Sequence, residues 1–320
     1  MAGYLVRRLA LAVVVLVAII VILVVLVQLV PGDPARVVLG NHATPQLIAQ
    51  VRKDMGLNKP VVTQVWDFFW AAIHGSLGTD FISGAPVVSE LGTPLVNTAL
   101  LTLFSVLLAL VCGIPTGVLS AIHPGGWTDR LVRVASMLLL STPVYVVGLL
   151  LLLLFSVHFR VLPALGAGSL SDPAGYVERL IMPGLALSVY WMAYLARLVR
   201  SSTLEVLARE YVRTSRSYGV SEHVIRYHVA LKNALVPVVA LFGLMLGYVL
   251  AGTVYVETIF ERVGLGNLAV SAVGSRDWPV VRGAVLIYCT AFIVGNLVAD
   301  VLYRWLDPRM RLEAASEGFL

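Results

Sequence analysis

Long apolar runs alternate along the chain with short polar segments. Residues 9–30 form the clearest run, with Gln28 its only polar side chain. Further runs cover about residues 98–122, 131–156, 181–199, 234–256 and 281–303. Crossing ~30 Å of hydrocarbon takes about 20 apolar residues in a helix. In lipid each backbone group must be satisfied within its own segment, and these runs are too long for barrel strands. The pattern therefore predicts an all-α membrane protein with six transmembrane helices. The first run exceeds the ~7–15 residues of a cleaved signal core and continues into Pro31-Gly32-Asp33-Pro34, so it reads as a retained span.

Two segments between runs are long. Residues 31–97 carry expected amphipathic helices near 45–55 and 61–73, then turn glycines at Gly75, Gly78 and Gly84. Residues 201–233 read as a helix containing Leu204, Leu207, Tyr211 and Val212, broken at Gly219. A second helix follows, with Ser221 as its cap. No low-complexity linker divides the chain, so residues 1–320 read as one transmembrane domain.

Composition agrees with this reading. The 320 residues are 59% hydrophobic and 13% charged, with a mean hydropathy of +0.89. Soluble domains carry about 25% charged residues. A soluble enzyme, a disordered chain and a nucleic-acid binder are thereby excluded. Charge also sets orientation. With a cytoplasmic N-terminus, 14 of the 23 Lys and Arg lie inside and 9 outside. Four of those nine fall in the long 31–97 loop, which the positive-inside rule largely ignores. Both termini are then cytoplasmic.

Several chemistries are missing. The three lysines, Lys53, Lys59 and Lys232, each follow a non-glycine residue, so there is no Walker A sequence. There is no H-E-x-x-H, no G-x-S-x-G and no cysteine pair at ligand spacing. No metal site is expected. Cys112 and Cys289 read as small buried hydrophobes. Asp300, inside the last run, has Arg304 four residues on, which favours a structural pair over a proton relay.

A helix–glycine–helix on the cytoplasmic face is either a partner-docking element or a pair of interfacial helices on lipid headgroups. Periodicity leaves both open. The residues Glu210-Tyr-Val-Arg-Thr-Ser-Arg-Ser-Tyr-Gly219 and Lys232-Asn-Ala-Leu-Val-Pro237 resemble the EAA loop of permeases of dipeptide/oligopeptide-type ABC importers. Ser215, Ser217 and Tyr218 depart from the family's Ala, Ala and Lys. The resemblance runs nearly the length of the chain. It includes Arg7-Arg8-Leu9, Pro31-Gly32-Asp33-Pro34, Gly75-Ser-Leu-Gly78, Ser141-Thr-Pro143, Leu162-Pro-Ala164, Val256-Glu-Thr-Ile-Phe260, Gly264-Leu-Gly266, Asp277-Trp-Pro-Val-Val281 and Asp307-Pro-Arg-Met-Arg311.

The resemblance implies a type I importer permease, the first of two related six-span subunits in a bacterial inner membrane. It implies pairing with the second permease, two cytoplasmic ATPases and an extracytoplasmic binding protein. The chain itself would bind no cofactor, since ATP and Mg²⁺ belong to the partner ATPases. Dipeptides or oligopeptides are the expected cargo, with nickel or haem as alternatives on the same fold. A gradient-driven transporter is a rival class, and it lacks its buried carboxylates and inverted repeats here.

Glu210, Tyr211, Arg213, Thr214 and Gly219 are the coupling candidates. Ser141, Thr142, Tyr145, Tyr190, Tyr194 and Asn296 are candidates for the pathway, with helix packing an equal alternative for each. Glu257, Glu261 and Asp277 are candidates for gating or contact with the binding protein, against ordinary solvated charges. Gly113 and Gly117, and Gly243 and Gly247 with Ala251, form small-residue stripes for close helix contacts. The second stripe is the candidate contact with the other permease.

Overall fold

A computed structural model of the chain describes residues 2–29, 35–36, 44–54, 56 and 58–306. Among these no strand forms, and one isolated bridge joins Thr79 to Pro86. The helices are α1 (Ala2–Leu29), α2 (Pro45–Asp54), α3 (Val61–Ile73), α4 (Val87–Ile122), α5 (Trp127–Ser141) and α6 (Val144–Leu151), which runs on as a π-helix over Leu152–His158. Then come α7 (Pro173–Leu207), α8 (Glu210–Ser217), α9 (Glu222–Val224), a π-helical turn Ile225–Ala230 and α10 (Leu231–Ala234). The chain continues through α11 (Val236–Ile259), α12 (Leu265–Gly274) and α13 (Trp278–Leu306). The expected motifs at residues 31–34 and 307–311, and the side chain of Arg304, lie outside the described residues.

Helices α1, α4, α7, α11 and α13 are each long and apolar enough to cross a membrane. The expected third span is not one straight helix. Helices α5 and α6 meet at a bend of 105°. The cause is local. Pro143 has no amide hydrogen and pushes the residue before it out of the helical region, and Thr142 sits at φ −97°, ψ 121°. The pair counts as a sixth span only if the bend is included in it. Helix α4 starts at Val87, well before the expected residue 98, because Val87, Leu91 and Leu95 join an apolar core beyond the hydrophobic run. Helix α7 starts early too, at Pro173. Asp172 caps it by accepting from the Gly175 amide at 3.2 Å.

The chain divides into two compact units. Residues 1–99 with 261–293 form the first, around Ile20, Val24, Leu77, Val87, Leu91, Leu265, Trp278 and Val281. Residues 100–260 with 294–320 form the second, whose core includes Leu101, Val106, Met182, Leu195, Val199, Met245, Val256 and Phe260. On α1, Val13, Val14, Ile22 and Leu26 are exposed, as positions facing lipid acyl chains are.

In the second unit α4 and α7 approach closely through the small residues singled out above. A Cβ on Gly113 would lie 2.9 Å from the Cβ of Leu195, and one on Gly117 would lie 2.6 Å from the carbonyl oxygen of Ala196. The stripe on α11 does not present a free face at Gly243. A Cβ there would meet Asn296 Oδ1 at 2.9 Å and Ala299 at 3.2 Å, so Gly243 packs within the chain. Gly247 is half-buried on the same helix.

Replacing Gly117 with valine should force α4 from α7, at an overpacking cost of about 1–3 kcal/mol. The variant should unfold at a lower temperature in detergent, and an unchanged midpoint would contradict the contact.

Candidate functional site

The segment from α8 to α10 is a helix–turn–helix with one buried face. Val212, Ile225, Ala230 and Ala234 are fully buried, and Ala230 and Ala234 cluster with Val206 at the end of α7. The turn is a Schellman motif. The Gly219 amide donates to the Arg216 carbonyl at 3.0 Å and the Val220 amide to the Ser215 carbonyl at 3.2 Å. Gly219 takes φ +77°, a conformation that favours glycine; a Cβ there would meet nothing, so the backbone alone imposes the residue. Glu222, on the second arm, receives Arg216 of the first arm at 2.6 Å and Arg226 of its own arm at 3.3 Å. These arginines, Arg216 first, hold the Glu222 carboxyl below the usual carboxylate range.

The outer face is left open. Glu210, Tyr211, Arg213, Thr214 and Gly219 are all exposed, as are Tyr218, Val224 and Tyr227. Tyr211 is held from one side, where its hydroxyl accepts from Asn233 Nδ2 at 3.4 Å. All five coupling candidates therefore lie on one short element. Its inner side is buried, and its outer side carries both rings and charges.

A cavity of about 360 Å³ opens in the second unit beside the α5–α6 bend. Ser141, Thr142 and Tyr190 line it together with Trp191, Tyr248 and Tyr255. No charged side chain lines it. Tyr190 stacks on Tyr248 at 6.3 Å and on Tyr194 at 6.4 Å, while Trp191 meets Tyr248 edge-on at 6.0 Å. Tyr194 thus joins the aromatic cluster without lining the cavity. Tyr145 is exposed on α6, and Asn296 lies beside Gly243 in the α11–α13 contact. The sequence reading missed Trp191, Tyr248 and Tyr255; their signal was Tyr190, Trp191 and Tyr194 close together on α7 and Tyr248 and Tyr255 about two turns apart on α11.

The acidic candidates divide by burial. Glu261 is exposed, at φ +44°. Glu257 is fully buried in α11 and Asp277 is buried before α13, so neither is a surface charge as drawn from the sequence. Sequence reasoning also passed over Asp129. Buried at the start of α5, it accepts Arg200 Nε at 2.5 Å and Nη2 at 3.0 Å, Ser120 Oγ at 2.6 Å and the Gly125 amide at 2.9 Å. This clasp ties the α4–α5 corner to α7 two turns before the helix–turn–helix. Among the described residues no group of three or more His, Cys, Asp or Glu is placed to hold a metal ion.

The family model described as the inner membrane component of binding-protein-dependent transport systems matches residues 113–312, and the model of its N-terminal part matches residues 1–101. The chain belongs to this family of ABC importer permeases. A probable peptide ABC transporter permease, y4tP of Sinorhizobium fredii, is 35% identical over 97% of this chain and 100% of its own length. The glutathione transport system permease GsiC of Escherichia coli K12 is 36% identical over 97% of this chain and 99% of its own. Among solved structures, an inward-facing form of the MetNI methionine ABC transporter aligns with a TM-score of 0.55 and 19% identity. It covers 68% of this chain and 96% of that one. That likeness gives the fold, an all-α type I importer permease.

Within the first unit of the permease, Asp277 and Asp80 share a hydrogen bond between their carboxyl groups. Asp277 also accepts from the Phe81 amide at 3.1 Å and the Val280 amide at 3.4 Å, so it pins the 79–86 turn to the start of α13. Asp80 accepts from the Ile82 amide at 2.6 Å and from the Ser83 hydroxyl, which also faces Glu90. Burial would raise Asp80, but the bonds from Asp277, Ser83 and the backbone outweigh it and hold the carboxyl well below its usual range. Burial and the bond to Asp80 push Asp277 up to about 7.

Between about pH 4 and 7 the folded pair thus holds a proton that free carboxyls would have lost. The stability this proton contributes is full below the free carboxyl's pKa of about 4, falls as pH rises from there, and is lost by about 7. The thermal midpoint of the purified permease should fall from about pH 4 to about pH 7 and level off above that. In Asp277→Asn, which keeps a donor toward Asp80 at every pH, that fall should flatten. An equal fall in both proteins would contradict the shared proton.

Proposed function

We propose that the permease is one of two related membrane subunits of an ATP-driven peptide importer. The carrying observation is the exposed α8–α10 element in a chain that has no phosphate-binding loop of its own. Similarity to curated peptide and glutathione permeases over nearly the full length supports a peptide cargo. Two cytoplasmic ATPases bind ATP and Mg²⁺ and seat the α8–α10 element, and an extracytoplasmic binding protein delivers the peptide. The distribution of Lys and Arg supports cytoplasmic termini in a bacterial inner membrane.

The geometry supports a direct mechanical route. The α8–α10 element packs on the end of α7 through Val206, Ala230 and Ala234. Tyr190, Trp191 and Tyr194 stand further up the same helix, Tyr190 about 15 Å from Arg200 at 1.5 Å per residue. Closure of the ATPases moves the element, and α7 carries the displacement to the aromatic cavity. The α5–α6 bend forms the cavity's other wall, and the Asp129–Arg200 clasp makes the α4–α5 corner follow α7. The cavity offers aromatic faces and hydroxyls without fixed charge, which suits cargo of varied side chains.

Reconstituted with its co-purifying subunits, the permease should take up labelled di- and tripeptides in an ATP-dependent manner. Gly219→Pro has the wrong φ and loses the amide that closes the Schellman turn. It should stay in the membrane and assemble, yet lose uptake. Unimpaired uptake by that variant would overturn the coupling role, and failure of the wild type on every peptide would overturn the cargo.

A further inference from the structure

Helix α3 (Val61–Ile73) has three faces rather than two. Val61, Val65, Phe68, Phe69 and Ala72 pack into the core of the first unit. Thr63 and Asp67 form a polar face, where Asp67 pairs with Lys59 at 2.6 Å. The third face is an apolar stripe left uncovered. Val62 is 80% exposed, Trp66 62%, Trp70 56% and Ile73 62%. At 100° per residue these four positions fall within about 80° of arc. Trp66 and Trp70 stack along the stripe at 6.3 Å.

The position of α3 against α1 decides what covers the stripe. The α1 span runs from Val6 to Leu26. Helices α1 and α3 pack on each other, and the core they share takes Leu16, Ile20 and Val24 from α1. Leu16 is the middle of that span, so the core into which α3 packs lies beside the second half of the span and not beyond its end. Thirteen residues make a helix about 20 Å long, too short to cross ~30 Å of hydrocarbon. Ile22 and Leu26 on the same half of α1 are exposed too, as lipid-facing positions are, so lipid reaches the depth at which this core lies. A helix with one apolar flank, one polar flank and tryptophans between them suits the boundary between headgroups and acyl chains.

We infer that α3 is an interfacial helix embedded in the leaflet reached by the second half of α1. Its Val62–Trp66–Trp70–Ile73 stripe is covered by phospholipid, and its Thr63–Asp67 face meets water. The segment between the first two spans is therefore not wholly a water-exposed loop. This holds whichever side of the membrane that leaflet faces and whatever the cargo.

A genetically encoded environment-sensitive fluorophore, placed singly at 62, 66, 70, 73 or 67, tests the inference. The full chain with its co-purifying subunits is put in phospholipid nanodiscs. Emission is read with brominated acyl chains and, separately, with aqueous iodide. The expected result is blue-shifted emission at 62, 66, 70 and 73 that brominated lipid quenches and iodide does not, with the reverse at 67. Iodide quenching along the stripe would show a water-facing helix and overturn the inference. Protection from both quenchers would show a protein partner on the stripe and overturn it equally.

Discussion

The second unit depends on one buried ion pair. Asp129 brings a charge into a nearly charge-free interior, and such a charge is tolerated only when its lone pairs are filled. Arg200, Ser120 and the Gly125 amide fill them. Each of these partners sits on a different stretch of chain, so satisfying the carboxylate fixes where α4 ends, where α5 begins and where α7 passes. Removing one partner from a buried pair typically costs about 3–5 kcal/mol, which is a large share of ordinary stability. The close contacts at Gly113 and Gly117 then follow, because α4 and α7 are already held side by side at that end.

From this anchor α7 extends in two directions. Toward its end it carries the α8–α10 element, whose small buried residues Ala230 and Ala234 pack against Val206. Toward its middle it carries Tyr190, Trp191 and Tyr194 into an aromatic cluster with Tyr248. One rigid helix therefore joins the exposed face and the cavity. The proposed coupling role draws on this combination of a packed inner side and an exposed outer side.

The spans were legible because lipid leaves so few solutions for an apolar run. Gly219 was legible because a helix break with a single glycine requires left-handed backbone. What depends on distant pairing was not legible. Asp129 meets Arg200 across 71 residues and Asp277 meets the Phe81 amide across 196, and nothing in local periodicity marks either. The bend at Thr142–Pro143 was visible as a proline kink, but its size of 105° was not. Glu257 looked like a loop charge and is buried, because α11 runs on to Ile259. Gly243 looked like a surface for another subunit and instead receives Asn296 and Ala299. The third face of α3 was hidden because a two-faced reading of amphipathicity places every exposed apolar residue in water.

The α8–α10 element is proposed to sit in an ATPase. A photo-crosslinking residue at the exposed position 214, activated in intact membranes, tests it most directly. One dominant adduct with the co-purifying ATPase is expected, its yield changing between nucleotide-free and ATP-bound states. Adducts confined to lipid, or to the second membrane subunit, would contradict it.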